Sequence, residues 1–439
     1  MLFFNDGILR SLGERESGLW RSDSSNKLMM NKKMKIVLFN TFYYPKLVGG
    51  AEISVQLLAE ELVRNGHQVY VFTIGKKEEI ARINGVIVIR LTSKNISSVY
   101  DSRKHGFFAT TVWLMLDSMN PLYHFKLSYL LKRIRPDVVH TNNVMGFSPA
   151  IWLTIKRLNL PLVHTMRDYY LLCHKCNMFD GNNNCNALCG SCKVTHVAKK
   201  WLLDKPDVFV GVSKFTVAKH QENMETRPLS DFKVIYNAVQ LPSTKEQEKF
   251  HEVLTVGYMG RIAKDKGVEY LVAEIRKLAD AVPISSFELL LAGEGPTEYI
   301  EYLKEQLKGL NYRFLGKVKP IDFYKEVQLT VVPSVWNEPF GRVVIESLSY
   351  GVPVCMAARG GLTELYNERV SWIFNMDDQN GLFPILSNVL RNRSLLNDKA
   401  KLAREYAAKF SISENARQYA RLYASLNTES GQKPLSVKP

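Results

Sequence analysis

The stretch Leu329-Thr330-Val331-Val332-Pro333-Ser334-Val335-Trp336-Asn337-Glu338-Pro339-Phe340-Gly341-Arg342-Val343-Val344-Ile345-Glu346 changes character twice. Its first residues are an apolar run closed by proline, the pattern of a buried parallel strand ending at a turn. From Gly341 onward, apolar residues at Val343, Val344, Leu348 and Tyr350 mark one face of a helix. A loop leaving the carboxyl end of a strand and entering a helix is where open α/β sheets bind ligands. Amides around Phe340, Gly341 and Arg342 are placed to hold a phosphate or sugar oxygen. Glu338 and Glu346 bracket the turn, and two carboxylates so placed can hold ribose or hexose hydroxyls. Spacing alone fits a loop acid and a solvated helix acid equally well.

The residues that follow narrow the choice. Gly351-Val352-Pro353-Val354 and Gly360-Gly361 extend the pattern, and the whole resembles the donor signature of family-four retaining glycosyltransferases. The likeness runs from about Met34 to Leu426. It implies an α/β protein of GT-B architecture, with two Rossmann-like domains facing across a cleft and a C-terminal helix crossing back.

With 439 residues, the chain has room for two or three domains with proper cores. Hydrophobic content of 46% and charged content of 23% are those of a globular protein. A net charge of +15 favours polyanionic partners: nucleic acid, an anionic membrane surface or phosphorylated substrates. No apolar stretch reaches the roughly 18 residues a spanning helix needs. Residues 1–33 lack signal-peptide character and read as a disordered or mis-assigned extension, so a cytoplasmic protein is expected.

The first domain is expected over 34–239. Lys35-Ile36-Val37-Leu38-Phe39 reads as a buried strand, followed by Gly49-Gly50 at a strand-to-helix turn and a helix closed by Asn65-Gly66. The turn is not Gly-x-Gly-x-x-Gly, which disfavours a nicotinamide oxidoreductase. Residues 94–135 carry seven Lys or Arg against two acids, with aromatics interleaved, which suits either an anionic membrane interface or a plain packed surface. Leu162-Val163-His164-Thr165 is a strand running into Met166-Arg167-Asp168. Where the family usually has His-Asp-Tyr, Arg167 takes the histidine's place and His164 lies three residues earlier. Arginine cannot serve as a base, but it can hold phosphate or carboxylate in a bidentate grip.

Cys173, Cys176, Cys185, Cys189 and Cys192 form a Cys-rich insertion, 173–192. Four of the five could hold a structural zinc; the alternatives are reduced thiols packing a loop, or redox use.

A polar linker over 240–251 leads to a second βα domain over 252–409. Gly260-Arg261 and Lys264-Asp265-Lys266-Gly267 put cations on a strand-to-helix turn, where they can neutralise a leaving diphosphate. Residues 410–426 are expected to be the crossing helix and 427–439 a disordered tail. The resemblance implies Arg261, Lys266 and Glu338 as catalytic residues. Gly260, Gly293, Phe340, Gly341, Arg342 and Glu346 would bind the donor, and Gly49, Gly50, His164 and Arg167 would lie on the acceptor side. The implied activity is metal-independent, retaining transfer from a nucleotide-sugar to a lipid-linked or soluble glycan acceptor in surface polysaccharide synthesis, at the inner face of a membrane. Its rivals are a catalytically inactive GT-B scaffold and a zinc-containing nucleic-acid binder.

Overall fold

The computed structural model describes residues 33–95, 107–224, 230–243, 252–376 and 381–430. Expectations for residues 1–32 and for 431–439 lie outside them.

The first sheet is built from β1 (Lys35–Phe39), β2 (Gln68–Gly75), β3 (Glu79–Ile83), β4 (Val86–Thr92), β5 (Val138–Thr141), β6 (Leu162–Met166), β7 (Val208–Gly211) and β8 (Asp231–Val234). Its order is β3-β4-β2-β1-β5-β6-β7-β8, and only the β3–β4 pair is antiparallel. The second sheet has β9 (Leu254–Met259), β10 (Phe287–Ala292), β11 (Tyr312–Gly316), β12 (Leu329–Val332), β13 (Val354–Ala357) and β14 (Ser371–Phe374) in the order β11-β10-β9-β12-β13-β14, all parallel. Central strands such as β5 and β12 are buried at every position, because helices cover both sheet faces. Apolar runs, rather than alternating ones, follow from that double cover.

Seven helices matter for the site. They are α1 (Gly50–Arg64), α2 (Phe107–Ser118), α3 (His124–Ile134), α4 (Gly190–Lys200), α5 (Lys214–Asn223), α6 (Arg342–Ser349) and α7 (Ile412–Ser430). α7 follows the second domain in sequence yet joins the first domain's core. Ala416, Tyr419, Leu422 and Tyr423 are buried in one cluster with Val55, Leu58 and Leu62 of α1. Burying each large side chain of this face favours the crossing by roughly 1.5–3 kcal/mol. Tyr423 Oη lies 2.7 Å from His140 Nδ1, and Tyr419 Oη lies 3.0 Å from Thr165 Oγ1. The helix runs to Ser430, so residues 427–430 are helical rather than part of a disordered tail.

The Cys-rich insertion leaves the first sheet after β6 and returns through α4. Lys199, buried in α4, donates to Tyr170 O at 2.5 Å, and Tyr170 Oη donates to Asp117 Oδ2 of α2 at 2.7 Å. Those bonds pin α4 against α2.

Candidate functional site

The site grows from the loop between β12 and α6. Gly341 caps α6 with φ +93°, and a Cβ there would stand 2.2 Å from Leu362 Cδ2. Only glycine allows both the left-handed turn and this approach. The helix therefore starts where sequence placed it, and the amides of Phe340 and Gly341 meet no acceptor among the described residues. Glu338 sits in the loop before them. Its Oε1 accepts from Lys266 Nζ at 2.6 Å and from Ser334 Oγ at 2.7 Å. Burial works against its charge, but Lys266 and these hydrogen bonds outweigh it and hold the carboxyl below its usual range.

Lys266 reaches Glu338 because the turn that carries it abuts the end of β12. Gly267 has φ +68°, and a Cβ on it would stand 1.8 Å from Pro333 O. Lys266 Nζ also lies 4.8 Å from the centroid of the Trp336 ring. Arg261 is not drawn into this pair. Its side chain is 61% exposed and bonds Asp265 Oδ2 through Nη2 at 2.5 Å. Gly260 and Gly293 line the loops after β9 and β10, donating to Ala292 O at 3.0 Å and Gly316 O at 2.8 Å.

Arg342, first residue of α6, faces the other domain. A Cβ on Gly50 would lie 3.5 Å from Arg342 Cδ. Arg342 Nη2 is 3.6 Å from Glu346 Oε1, while Nε and Nη1 are buried without a partner among the described residues. Burial pushes the Glu346 carboxyl up, against the pull of Arg342. Across the cleft, Gly49 N donates to Glu52 Oε2 at 2.8 Å, which satisfies one amide at the start of α1. Glu52 is buried, and burial raises its carboxyl. Sequence analysis gave this acid no role; its place three residues after Gly49 was the available signal.

Arg167 is held by two neutral amides: Nε donates to Asn142 Oδ1 at 2.8 Å and Nη1 to Asn237 Oδ1 at 2.6 Å. Burial lowers its affinity for its proton, and the charges of Glu52 and Arg342 act on it as well. A brace between Arg167 and Asp168 does not form. Asp168 instead accepts from Tyr170 N at 2.8 Å and Asn143 Nδ2 at 3.3 Å. His164 departs further from expectation. It lies inside the first domain's core, its ring 4.9 Å from Trp152 and 5.8 Å from Phe209, with Nδ1 2.9 Å from Thr141 Oγ1. Strand alternation turns it inward, and burial brings its pKa down to about 3.

The zinc expectation is corrected. Among the described residues, no group of three or more His, Cys, Asp or Glu is arranged to hold a metal ion. All five thiols are free; Cys173 and Cys192 are buried in the core, Cys176 and Cys185 pack against it, and Cys189 faces outward at the start of α4. Cys192 Sγ lies 3.4 Å from His174 Nδ1, and Cys189 Sγ lies 3.4 Å from Ser191 Oγ. The hydrogen bond from Cys192 draws the Cys173 thiol below its ordinary range.

Two α/β domains with mostly parallel sheets, and a lysine–glutamate pair beside open amides at a strand end, give the architecture that the sequence resemblance implies. The family comparisons agree. Residues 48–241 match the model for Glycosyltransferase Family 4, and residues 253–392 match that for Glycosyl transferases group 1. A 42.6 kDa protein of a cps region in Klebsiella pneumoniae is 33% identical over 344 residues, covering 76% of this chain and 87% of that one. The α-monoglucosyldiacylglycerol synthase of Streptococcus pneumoniae is 24% identical, covering 77% of this chain and 74% of that one. Among solved structures, sucrose-phosphate synthase from Thermosynechococcus elongatus superposes with TM-score 0.72 at 20% identity, over 90% of this chain and 100% of that one. Anabaena HepE in complex with UDP and glucose gives 0.66 at 18% identity, over 89% and 100%. The chain belongs to the group 1, family 4 glycosyltransferases. Among the described residues, no helix is long and apolar enough to cross a membrane.

Proposed function

We propose that this glycosyltransferase moves a sugar from a nucleotide-sugar to an acceptor hydroxyl with retention, in the assembly of surface polysaccharide. The observation that carries the reading is the Lys266–Glu338 pair, set beside the unpartnered amides of Phe340 and Gly341. In the proposed complex Lys266 turns to the diphosphate, joined by Arg261 after it leaves Asp265. Glu338, released from Lys266, takes the sugar hydroxyls, and Glu346 takes the ribose. Gly260 and Gly293 leave room for the nucleotide, and Arg342 contributes charge at the domain boundary. Gly49, Gly50 and Arg167 face the acceptor. As the bond from the anomeric carbon to phosphate breaks, the acceptor oxygen attacks from the same face and its proton passes to the departing phosphate oxygen. No protein base is required, which accommodates arginine at position 167. Two side-chain cations supply the charge that a metal would otherwise bring. The cps-region relative and the HepE complex with UDP and glucose support the pathway and the donor class. Turnover of a nucleotide-sugar panel, with NMR of the new anomeric centre and an EDTA control, tests this reading. An inverted product or loss of activity in EDTA would refute its mechanism.

The acceptor side of the reading includes peripheral contact with an anionic membrane, where a lipid-linked glycan would be met. Helices α2, α3 and α4 contain one acid, Asp117, and it is buried. They and the turn between α2 and α3 expose Met115, Leu122, Phe125, Tyr129, Val194 and Val197, with Trp201 just beyond α4. Exposed Lys132, Arg133 and Lys193 accompany them. Co-sedimentation with phosphatidylglycerol vesicles, absent with phosphatidylcholine, checks this contact.

A further inference from the structure

The Cys-rich insertion takes no part in the chemistry above, yet its tip crosses to the second domain. Asn184 Nδ2 donates to Val335 O at 2.8 Å, and Asn184 Oδ1 accepts from Asn337 N at 2.6 Å. One side-chain amide thus satisfies both backbone groups that flank Trp336, as a neighbouring strand would. On its other edge the same loop hangs from its own domain, with Val335 N and Trp336 N donating to Asp265 O at 3.1 and 3.3 Å. Trp336 itself is buried in the first domain's core, edge-on to Tyr169 at 6.2 Å, and Tyr169 Oη donates to Asn337 O at 2.8 Å.

The insertion is built to hold that tip still. Asp180 Oδ1 accepts from Asn182 N at 2.8 Å and Asn183 N at 2.7 Å, and Cys185 N donates to Met178 O at 2.8 Å. Below these turns, Cys173 and Cys192 anchor the base in the core. The residue after Asn337 is Glu338, and the residue after Asp265 is Lys266. Whatever fixes the 335–337 loop therefore fixes where the two charged groups of the donor site meet.

We propose that Asn184 is a positioning residue: the Cys-rich insertion is a strap from the first domain that holds the 335–338 loop in its donor-binding form. The proposal rests on the donor assignment above and adds a residue and a segment to it. Breaking the strap leaves Val335 O and Asn337 N without those partners and loosens the loop, which then keeps its bonds to Asp265 O and Tyr169 Oη.

The test uses the full chain and the variants Asn184→Ala and Asn184→Asp, the second keeping the oxygen that faces Asn337 N but losing the donor to Val335 O. Amide hydrogen exchange at Asn337, read without ligand, should speed up about tenfold or more in Asn184→Ala and less in Asn184→Asp. Nucleotide-sugar KM should rise by about tenfold in the alanine variant, the scale of two lost hydrogen bonds. Acceptor KM should stay close to wild type, and the melting temperature should fall by no more than the few degrees that two lost hydrogen bonds entail. Unchanged exchange would show that the strap does not hold the loop. Faster exchange with an unchanged donor KM would show that it holds the loop without positioning the donor, and either result overturns the proposal. A wild-type protein silent toward every nucleotide-sugar defeats the transferase reading alone, because exchange at Asn337 still reports the strap.

Discussion

Lys266 and Glu338 stand 72 positions apart in the chain and meet at 2.6 Å, both largely shielded from solvent. Truncating either leaves the other charge buried and alone. Lys266→Ala should lower turnover by roughly a hundredfold, the scale for one preorganised electrostatic group. Arg261→Ala should do so with less effect on stability, since Arg261 is mostly exposed. Steady-state kinetics and melting curves on both variants check this.

The same pair predicts an acid limb. The Glu338 carboxyl lies below its ordinary value of 4.5 in the folded protein. The pair therefore contributes stability above about pH 4.5 that is lost as pH falls through the lowered value. Replacing Lys266 by methionine should flatten that part of a melting-temperature profile.

Three buried histidines act at higher pH. Burial lowers His164 to about 3, His220 to about 4 and His140 well below 6.5. The unfolded chain then binds more protons than the folded one below 6.5, so stability falls on acidification through that window. Each contributes a slope of up to about 1.4 kcal/mol per pH unit. His164→Gln should remove one such contribution, read as a shallower dependence of denaturation midpoint on pH between 6.5 and 4.

Thiol chemistry separates the cysteines. With no metal group among the described residues, strong chelators should leave the melting temperature unchanged. A bulky thiol reagent should modify exposed Cys189 first. Alanine at Cys173 or Cys192 should destabilise by about 1 kcal/mol or more, since both sulfurs fill the core. Mass spectrometry of a labelling time course and denaturant titration check the two halves.

Arg167→Lys keeps the charge but cannot span Asn142 and Asn237 as the guanidinium does. Activity should fall about tenfold, with a melting shift of about 2–4 °C per kcal/mol lost. Arg167→His should not restore activity, because the two asparagine oxygens are placed for donors. Wild-type kinetics in both variants would remove Arg167 from the site.

Local chemistry was enough to read strands such as β1, β6 and β12, the Gly341 helix start and the two-domain rhythm. Apolar runs buried on both faces and glycine-marked turns depend on neighbours a few residues away. The edge strands β3 and β14 went unread, since short strands with mixed burial leave no continuous apolar run; β4 went unread although Val86-Ile87-Val88-Ile89 is such a run. The proposed donor-side residues come from the family resemblance that the sequence motifs carry. Sequence could not tell that Arg261 would rest on Asp265, that His164 would face the core, or that Asn184 would grip the 335–337 loop. Arg261 and Asp265 stand only four positions apart, so the local turn decides that pair; the other two depend on side chains that meet across tens to hundreds of positions, which only tertiary packing decides. The cysteines show the same division: their spacing allowed a metal, and the fold decided which of them it buries, with Cys173 and Cys192 in the core and Cys189 facing outward.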